Sequence, residues 1–316
     1  MKLQTKIPLN PQPYNQIDYN SKSLLIGSCF VENIGDKLDY FKFQNYQNPF
    51  GILFHPQAIE TLIVHAINEK EYTEDDIFFY NERWHCYDAH SILSNFSKIE
   101  LLNSLNESLK KTNQYLTEST HIIVTIGTAW MYRFIETDTI VANCHKVPQK
   151  KFAKELMTVN EISESLQAIV SLIKSVNQKV SVVFTVSPIR HLKDGFVENT
   201  QSKSHLISAI HQIVEPRNQL YYFPSYEIMM DELRDYRFYE DDLIHPSNLA
   251  INYIWEKFQQ IWIAEKDSAT MIEIDTIQKG LLHKPFNPNS ETHQQFLQNL
   301  EEKKSQLLIK FPHFQF

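Results

Sequence analysis

The sequence predicts an α/β fold in which a parallel sheet is covered by helices on both faces. Four short apolar runs do not alternate with polar residues, which is typical of strands buried on both sides. They lie at 23–26, 121–126, 180–186 and 220–223. Amphipathic stretches of helical period separate these runs. Because strands that alternate with helices favour parallel pairing, we expect a single parallel sheet.

Helices are expected wherever apolar residues recur at intervals of three or four. The first follows Ser28, where Phe30, Ile34 and Leu38 share one face. The others cover 56–68, 160–176 (with Asn160 as a candidate cap), 203–214 and 246–264. The order strand, turn, helix therefore places Ser28 at the carboxyl edge of the sheet.

Two segments interrupt this alternation, and each predicts two short strands joined by a polar turn. They cover 77–87 and 132–141, and we expect them to be hairpins inserted in loops at the edge of the sheet. From Lys266 the chain looks irregular as far as a charged helix near 291–310. We therefore predict a catalytic domain at 1–265 and a C-terminal helical extension at 266–316 that packs on it.

The composition is that of an ordinary globular protein: 316 residues, of which 42% are hydrophobic and 22% charged, with a net charge of −8. The negative charge disfavours a nucleic-acid partner, and the basic cluster at 146–154 is expected to be a solvated face. No apolar run is long enough to span a membrane. Residues 1–20 lack the apolar core of a secretory signal, so we expect a cytoplasmic location.

The cysteines Cys29, Cys86 and Cys144 are odd in number and widely spaced. This argues against a disulfide framework and favours a reducing compartment. His85, Cys86 and His90 lie close together in the sequence, but their spacing matches no closed zinc site. We expect neither a metal nor a cofactor.

Ser28 is the first candidate for chemistry, because α/β proteins place their sites at the carboxyl ends of parallel strands. The helix that follows directs amide groups toward this point and favours negative charge there, as a nucleophile and its oxyanion require. The alternative is that Ser28 only caps the helix. Cys29 is a rival nucleophile, but Phe30 and Ile34 predict that the helix turns its thiol inward, where it would be inert.

Asp242-Leu-Ile-His245 is the second candidate, since an acid three residues before a histidine can share a turn with it. The carboxylate would hold the δ nitrogen and fix the tautomer, which leaves the ε nitrogen free to act as a base. The alternative is a surface loop that Glu240, Asp241 and Asp242 merely solvate. No G-x-S-x-G motif occurs, which disfavours the α/β-hydrolase fold.

The motif Gly27-Ser-Cys-Phe30 after an apolar strand resembles the signature of the GSCFA family, with Val31 where the family name has alanine. Further matching segments are NPFG at 48–51, TIGTAW at 125–130, NCHK at 143–146, SPIRH at 187–191, DYRFY at 235–239 and DLIHPS at 242–247. The family is similar to the SGNH, or GDSL-like, esterases and lipases. This resemblance implies a three-layer flavodoxin-like fold, with Ser28 as the nucleophile and Asp242 and His245 as the D-x-x-H pair.

The resemblance also implies an oxyanion hole, which SGNH enzymes build from the serine amide, a glycine amide and an asparagine side chain. Ser28 and Gly51 match the two amides. The asparagine is expected two residues after a glycine, but Ala129 stands there, and Asn143 is the candidate that would replace it. A missing donor of this kind costs about 100- to 1,000-fold in turnover.

Several further residues are expected around the substrate. Arg190 and His191 follow a strand end, where they could bind a carboxylate or phosphate of the substrate, or could only hydrogen-bond loop carbonyls. Trp130 could form an aromatic wall or pack in the core. The substrate-binding residues that we predict are Gly127, Thr128, Trp130, His145, Arg190 and His191.

These features predict a serine-dependent hydrolase that acts on acyl esters of a small molecule, lipid or carbohydrate. Transfer of the acyl group to a sugar or another alcohol would use the same residues, so it is the alternative activity. A third hypothesis is a protein that binds a small anion at Gly27 and Ser28 without catalysis, although no glycine-rich phosphate loop supports it.

Overall fold

The computed structural model describes residues 4–316, so the first three residues of the predicted catalytic domain and N-terminal segment lie outside the described residues. Its strands are β1 (Lys22–Gly27), β2 (Gln44–Gln47), β3 (Ile77–Tyr80), β4 (Arg83–Cys86), β5 (His121–Ile126), β6 (Trp130–Phe134), β7 (Thr139–Val141), β8 (Phe152–Leu156), β9 (Ser181–Val186) and β10 (Leu220–Tyr222). Its helices are α1 (Phe30–Tyr40), α2 (Pro56–Ile67), α3 (Lys98–Glu118), α4 (Val159–Val176), α5 (Phe196–Ile213), α6 (Ser225–Glu227), α7 (Asn248–Trp262), α8 (Ser268–Leu281) and α9 (Glu291–Lys310).

The central sheet is parallel throughout, and its strands lie in the order β2–β1–β5–β9–β10. Numbered along the chain, this is the flavodoxin-like order 2-1-3-4-5. β1 pairs with β2 on one side and with β5 on the other, so the chain changes direction across the sheet at β1. A crevice at the carboxyl ends of β1 and β5 is therefore the expected place for a ligand.

Two groups of helices cover the sheet. On one face, α2, α3, α4 and α5 pack against Leu24 and Ile26 of β1. On the other face, α1, α7, α8 and α9 contribute to a second core that contains Leu25 of the same strand. Successive residues of β1 thus enter two different cores, which explains why its apolar run does not alternate. The predicted three-layer fold is confirmed.

The two predicted hairpins are confirmed as antiparallel pairs, β3 with β4 and β6 with β7. The second hairpin is larger than predicted, because β8 pairs with the other edge of β6. The first residues of β8 belong to the basic cluster at 146–154, which was expected to be a solvated face and was not predicted to contain a strand. Its first residue, Phe152, is buried with Phe134, Val141 and Val147 in a small core of its own.

Several helices differ from the sequence-based expectation. α3 was not predicted, although Leu101, Leu105, Leu109 and Leu116 lie at helical spacing and are buried. α5 begins at Phe196, well before the predicted start at 203. α4 is capped by Thr158 instead of Asn160, in a capping box with Glu161.

The prediction of an irregular chain after Lys266 is wrong over α8. Met271, Ile274 and Ile277 lie on one face of this helix and are buried in the second core. The β-branched residues of this stretch have low intrinsic helix propensity, and burial of one apolar face overrides that preference.

The C-terminal helices pack beside α1. The Tyr40 hydroxyl donates to Asp275 Oδ1 (2.9 Å), and Gln278 Nε2 donates to the Tyr40 carbonyl (3.1 Å). Near the end of the chain, the Phe314 ring packs edge-on against Tyr19, with 5.0 Å between centroids. The domain boundary at residue 265 stays a prediction. Within residues 4–316, no helix has both the length and the hydropathy needed to cross a bilayer.

Candidate active site

A cavity of about 710 Å³ lies at the carboxyl ends of β1, β5 and β9. The start of α1, the loops after β5 and β9, the β7 segment and the loop before α7 form its wall. The predicted site residues that border it are Thr128, Trp130, Asn143, Arg190, His191 and His245. Its position is the one at which open α/β sheets hold their ligands.

The turn between β1 and α1 is fixed by main-chain contacts. Gly27 has a φ of +142°, and a Cβ atom there would lie 1.9 Å from the Thr125 carbonyl oxygen, so this position requires glycine. The Gly27 amide donates to Asn48 Oδ1 (3.0 Å), and the Ser28 amide donates to Thr125 O (2.9 Å). The turn is therefore tied to the end of β5.

The Ser28 side chain points into the protein. The residue is fully buried, and its Oγ has no hydrogen-bond partner in the part of the chain that the structure describes. Its carbonyl accepts a hydrogen bond from the Val31 amide (2.9 Å), in the first turn of α1. Ser28 does not border the cavity in this structure, and its role as nucleophile stays a prediction.

Cys29, and not Ser28, borders the cavity. Cys29 occupies the N-cap position of α1, and this half-buried residue borders the cavity and also packs against the second core. Burial raises the pKa of the thiol, and the Glu32 carboxylate raises it further. The amides of Cys29 and Phe30 and the Lys203 ammonium act in the opposite direction. Cys29 packs on the second core, in line with the expectation that the helix turns it inward, but the residue is half-buried and not fully enclosed.

Asp242 and His245 form the hydrogen-bonded pair that their spacing predicts. His245 Nδ1 lies 2.6 Å from Asp242 Oδ2, while Asp242 Oδ1 accepts from the amides of His245 and Ile244, both at 2.9 Å. The hydrogen bonds from the His245 amide and ring, followed by that from the Ile244 amide, lower the pKa of Asp242 to about 2.

The pair is accessible to a substrate. The side chains of His245 and Asp242 are 49% and 46% exposed, and His245 borders the cavity. Because Nδ1 faces the carboxylate, the Nε2 atom is left to accept a proton. No hydrogen bond reaches Nε2 from any residue of the described range, 4–316.

The two main-chain groups predicted for the oxyanion hole donate elsewhere. The Gly51 amide donates to Asn48 O (2.8 Å), and the Ser28 amide is bonded to Thr125 O. Asn143 does border the cavity, but its Oδ1 accepts from Ser91 Oγ (3.3 Å) and from the His145 amide (2.8 Å).

The amides that open α1 are the donors that the helix start predicts at this point, although Cys29 and Phe30 were not named for this role. The amides of Cys29 and Phe30 act on the Cys29 thiol, and no other acceptor for them is found within residues 4–316. The first amides of any helix lack intrahelical partners, which is why the start of the helix indicates donors here from the sequence.

His145 does not reach the cavity. It is buried, with Nδ1 3.0 Å from Ser91 Oγ and Nε2 2.7 Å from the Cys86 carbonyl. Burial lowers the pKa of His145 to about 4. Its ring nitrogens therefore hold two loops together, which is a structural role.

Gly127 and Thr128 connect the cavity to the core. Both amides donate to the Phe54 carbonyl, at 2.8 and 3.0 Å. Thr128 Oγ1 lies 3.0 Å from Ser202 Oγ and accepts from the Trp130 amide. Thr128 and Trp130 form part of the cavity wall.

Arg190 and His191 border the cavity with unused polar atoms. Arg190 Nε is buried without a partner, and its Nη2 donates only to Met230 Sδ (3.3 Å). His191 Nε2 is also buried without a partner within the described residues. Burial, followed by the charges of Lys203 and His245, lowers the pKa of His191 to about 3, so this histidine is a poor base.

Lys203 belongs to the site although its sequence context does not predict it. It is fully buried on α5, and its Nζ donates to Gly127 O (2.7 Å) and Ser187 O (2.8 Å). These bonds join the carboxyl ends of β5 and β9 beneath the cavity. Burial lowers the pKa of Lys203 to about 7. A lone lysine in an amphipathic helix is usually exposed, so the sequence carries no signal for this contact.

Comparison with known families identifies the chain. Residues 22–258 match the model of the GSCFA family, and residues 274–316 match the model of the GSCFA domain protein C-terminal domain. The chain belongs to the GSCFA family. In this GSCFA protein, the motif that gives the family its name forms the turn between β1 and α1.

Comparison with solved structures finds a carbohydrate esterase family 3 protein from Talaromyces cellulolyticus. The match has 9% sequence identity and a TM-score of 0.36, and it covers 75% of this chain and 94% of the other. No curated protein matches this chain.

Proposed function

We propose that this GSCFA protein hydrolyses acyl esters in the cavity, through an acyl-enzyme formed on the turn that holds Ser28 and Cys29. His245 would accept the proton of the nucleophile, and Asp242 would orient His245. One observation carries the proposal: a histidine held by a carboxylate borders the same cavity as the N-terminal end of α1.

The Asp242–His245 pair suits general acid–base catalysis. The hydrogen bond at Nδ1 selects the tautomer in which Nε2 carries a lone pair, and the carboxylate stabilises the imidazolium that forms during attack. His245 can then return the proton to the departing alcohol. His191, whose pKa is lowered to about 3, lacks both the carboxylate and the basicity for this role.

The start of α1 suits the stabilisation of an oxyanion. The amides of Cys29 and Phe30 lie at a helix N-terminus, where the helix dipole favours negative charge. They replace the amides of Ser28 and Gly51, which donate to Thr125 O and Asn48 O instead. Asn143 borders the cavity and remains a proposed third donor. Each such donor contributes about 100- to 1,000-fold to turnover.

The charges around the cavity favour a substrate that carries an anionic group. Lys154 is paired with Asp194 at 2.6 Å, whereas Arg190 and Lys193 form no salt bridge in the described part of the chain. An arginine with free donors at a cavity wall is suited to a carboxylate or phosphate. We therefore propose an acyl ester whose alcohol or acyl part bears a carboxylate or phosphate.

The proposal is tested with chromogenic acyl esters and His245→Ala. We expect the wild-type protein to release the alcohol catalytically and the variant to lose about 100-fold or more in kcat, because general-base catalysis contributes this much. His211→Ala replaces an exposed histidine outside the cavity and serves as the matched control. Equal kcat values for wild type and His245→Ala would refute the proposal.

A further inference from the structure

The turn between β1 and α1 sends its two nucleophile candidates in different directions. Ser28 is fully buried and absent from the cavity wall, and its hydroxyl meets no polar partner in the described chain. Cys29, one residue later, is half-buried and borders the cavity together with His245. An attacking atom must reach both the substrate and the base, and of Ser28 and Cys29 only Cys29 borders the cavity that His245 also borders.

Rotation of Ser28 into the cavity is opposed by the way the turn is anchored. The Gly27 and Ser28 amides are bonded to Asn48 and Thr125, and the Ser28 carbonyl accepts from Val31. Gly27 leaves no space between the turn and β5. Hydrogen bonds on both sides of Ser28 therefore fix the backbone conformation that buries its side chain.

We propose that the thiol of Cys29, and not the hydroxyl of Ser28, is the nucleophile of this GSCFA protein. The inference rests on the proposed ester hydrolysis and names the atom that attacks. A base for the Cys29 thiol is positioned independently of it, because the Asp242–His245 pair places His245 at the same cavity.

The reaction balances with groups of this chain and water. Nε2 of His245 takes the proton of the Cys29 thiol while Sγ forms a bond to the acyl carbon. The carbon–oxygen bond of the ester then breaks, and the alcohol leaves with that proton. Water, deprotonated by His245, attacks the thioester, which breaks the carbon–sulfur bond and releases the acid while Sγ regains its proton.

The surroundings of Cys29 explain why a base is needed. Burial raises the pKa of the thiol, so the resting group keeps its proton, and the amides of Cys29 and Phe30 favour negative charge as it develops. The charge of Lys203, which lies beneath the cavity, also lowers the pKa of the thiol, as the two amides do.

The first test locates the acyl group. Wild-type protein is mixed with p-nitrophenyl acetate, quenched in acid and digested, and the acetylated residue is read by tandem mass spectrometry. We expect the label on Cys29 and its removal by neutral hydroxylamine, which cleaves thioesters but not serine esters. A label on Ser28, or on neither residue while the ester is cleaved, would overturn the inference.

The second test needs no ester turnover, so it separates this inference from the proposed function. Iodoacetamide labels cysteine thiols, and Cys144, which is also half-buried at the cavity, is the internal control. We expect Cys29 to be alkylated faster than Cys144 in wild type, with this advantage lost in His245→Ala. Equal rates in wild type would overturn the inference even if ester hydrolysis is found.

Cys29→Ser and Cys144→Ser complete the design as matched variants. Cys29→Ser should lose most of the esterase rate because a hydroxyl is harder to deprotonate than a thiol, while Cys144→Ser should leave the acyl label on Cys29. If Cys29→Ser keeps the full esterase rate and His245→Ala does not, the proposed ester hydrolysis is supported and the proposal of a thiol nucleophile is refuted.

Discussion

Two residues at the cavity combine burial with unused polar atoms. Arg190 keeps Nε without a partner, and His191 keeps Nε2 in the same condition. Leaving a buried donor unpaired costs about 1–3 kcal/mol, so such atoms tend to be retained where a ligand completes them. Arg190 is the charged member of the two, which makes it the natural contact for an anionic group.

Arg190→Met tests this contact at the residue scale. We expect KM for an ester that bears a carboxylate to rise about 10- to 100-fold, because a hydrogen bond to a charged group is worth about 1.5–3 kcal/mol. KM for a neutral ester of similar size should change little. Steady-state kinetics on both esters measures the ratio, and Arg217→Met, at an exposed position, is the control. An unchanged ratio would exclude Arg190 from substrate binding.

The turn between β1 and α1 is the element on which the site depends. It joins a central strand to a helix, and its geometry decides which side chain reaches the cavity. Gly27 makes this possible because its φ of +142° and its contact with Thr125 exclude a Cβ atom. Lys203 supports the neighbouring strand ends from below.

Gly27→Ala should therefore destabilise the protein by at least about 2 kcal/mol, since the new methyl group meets fixed backbone at a strained φ. Urea unfolding followed by circular dichroism measures the free energy of unfolding. Gly35→Ala in α1 is the matched control: its methyl group would meet only the flexible end of Gln47, and alanine favours the helix. Equal losses for both variants would contradict this reading of the turn.

The sequence predicts the position of this turn but not the orientation of its side chains. The run SLLI followed by glycine and a helical period places Ser28 and Cys29 at a strand end. Which of the two faces the cavity depends on backbone dihedral angles and on tertiary hydrogen bonds to Asn48 and Thr125, and neither has a local signature. The Asp242–His245 pair was predictable because both partners lie within one turn of chain.

At the scale of the molecule, the layered fold was predictable because apolar runs and helical periods are local features. Elements whose structure depends on contacts distant in the sequence were not predictable. β8 completes a sheet with β6, and α8 takes its helical form while burying Met271 and Ile274 against the second core. The C-terminal helices lie beside α1 and contribute no residue to the cavity wall.

Buried histidines make the whole fold sensitive to acid. Burial lowers the pKa of both His55 and His145 to about 4, against 6.5 for an unperturbed side chain. Below pH 6.5 the unfolded chain binds protons that the folded chain does not. Stability is thus fully present above about pH 6.5 and falls as the pH decreases toward 4, by about 1.4 kcal/mol per pH unit for each such histidine.

Urea unfolding between pH 7.5 and 4.5 measures this dependence. We expect a declining free energy of unfolding with proton uptake on unfolding, and a shallower decline in His55→Gln than in the exposed control His211→Gln. A free energy that stays constant, or rises, as the pH falls through this window would contradict the assignment of these histidines as neutral in the folded protein.

We propose that acyl esters are cleaved through a covalent intermediate at the cavity that Cys29 and His245 both border. The most direct measurement is the mass of the intact protein, quenched in acid during the first turnover of p-nitrophenyl acetate. We expect one added acetyl group per chain in the wild type and none in Cys29→Ala or His245→Ala. An acetyl group that persists in both variants, or ester cleavage by protein that is unmodified at every quench time, would contradict it.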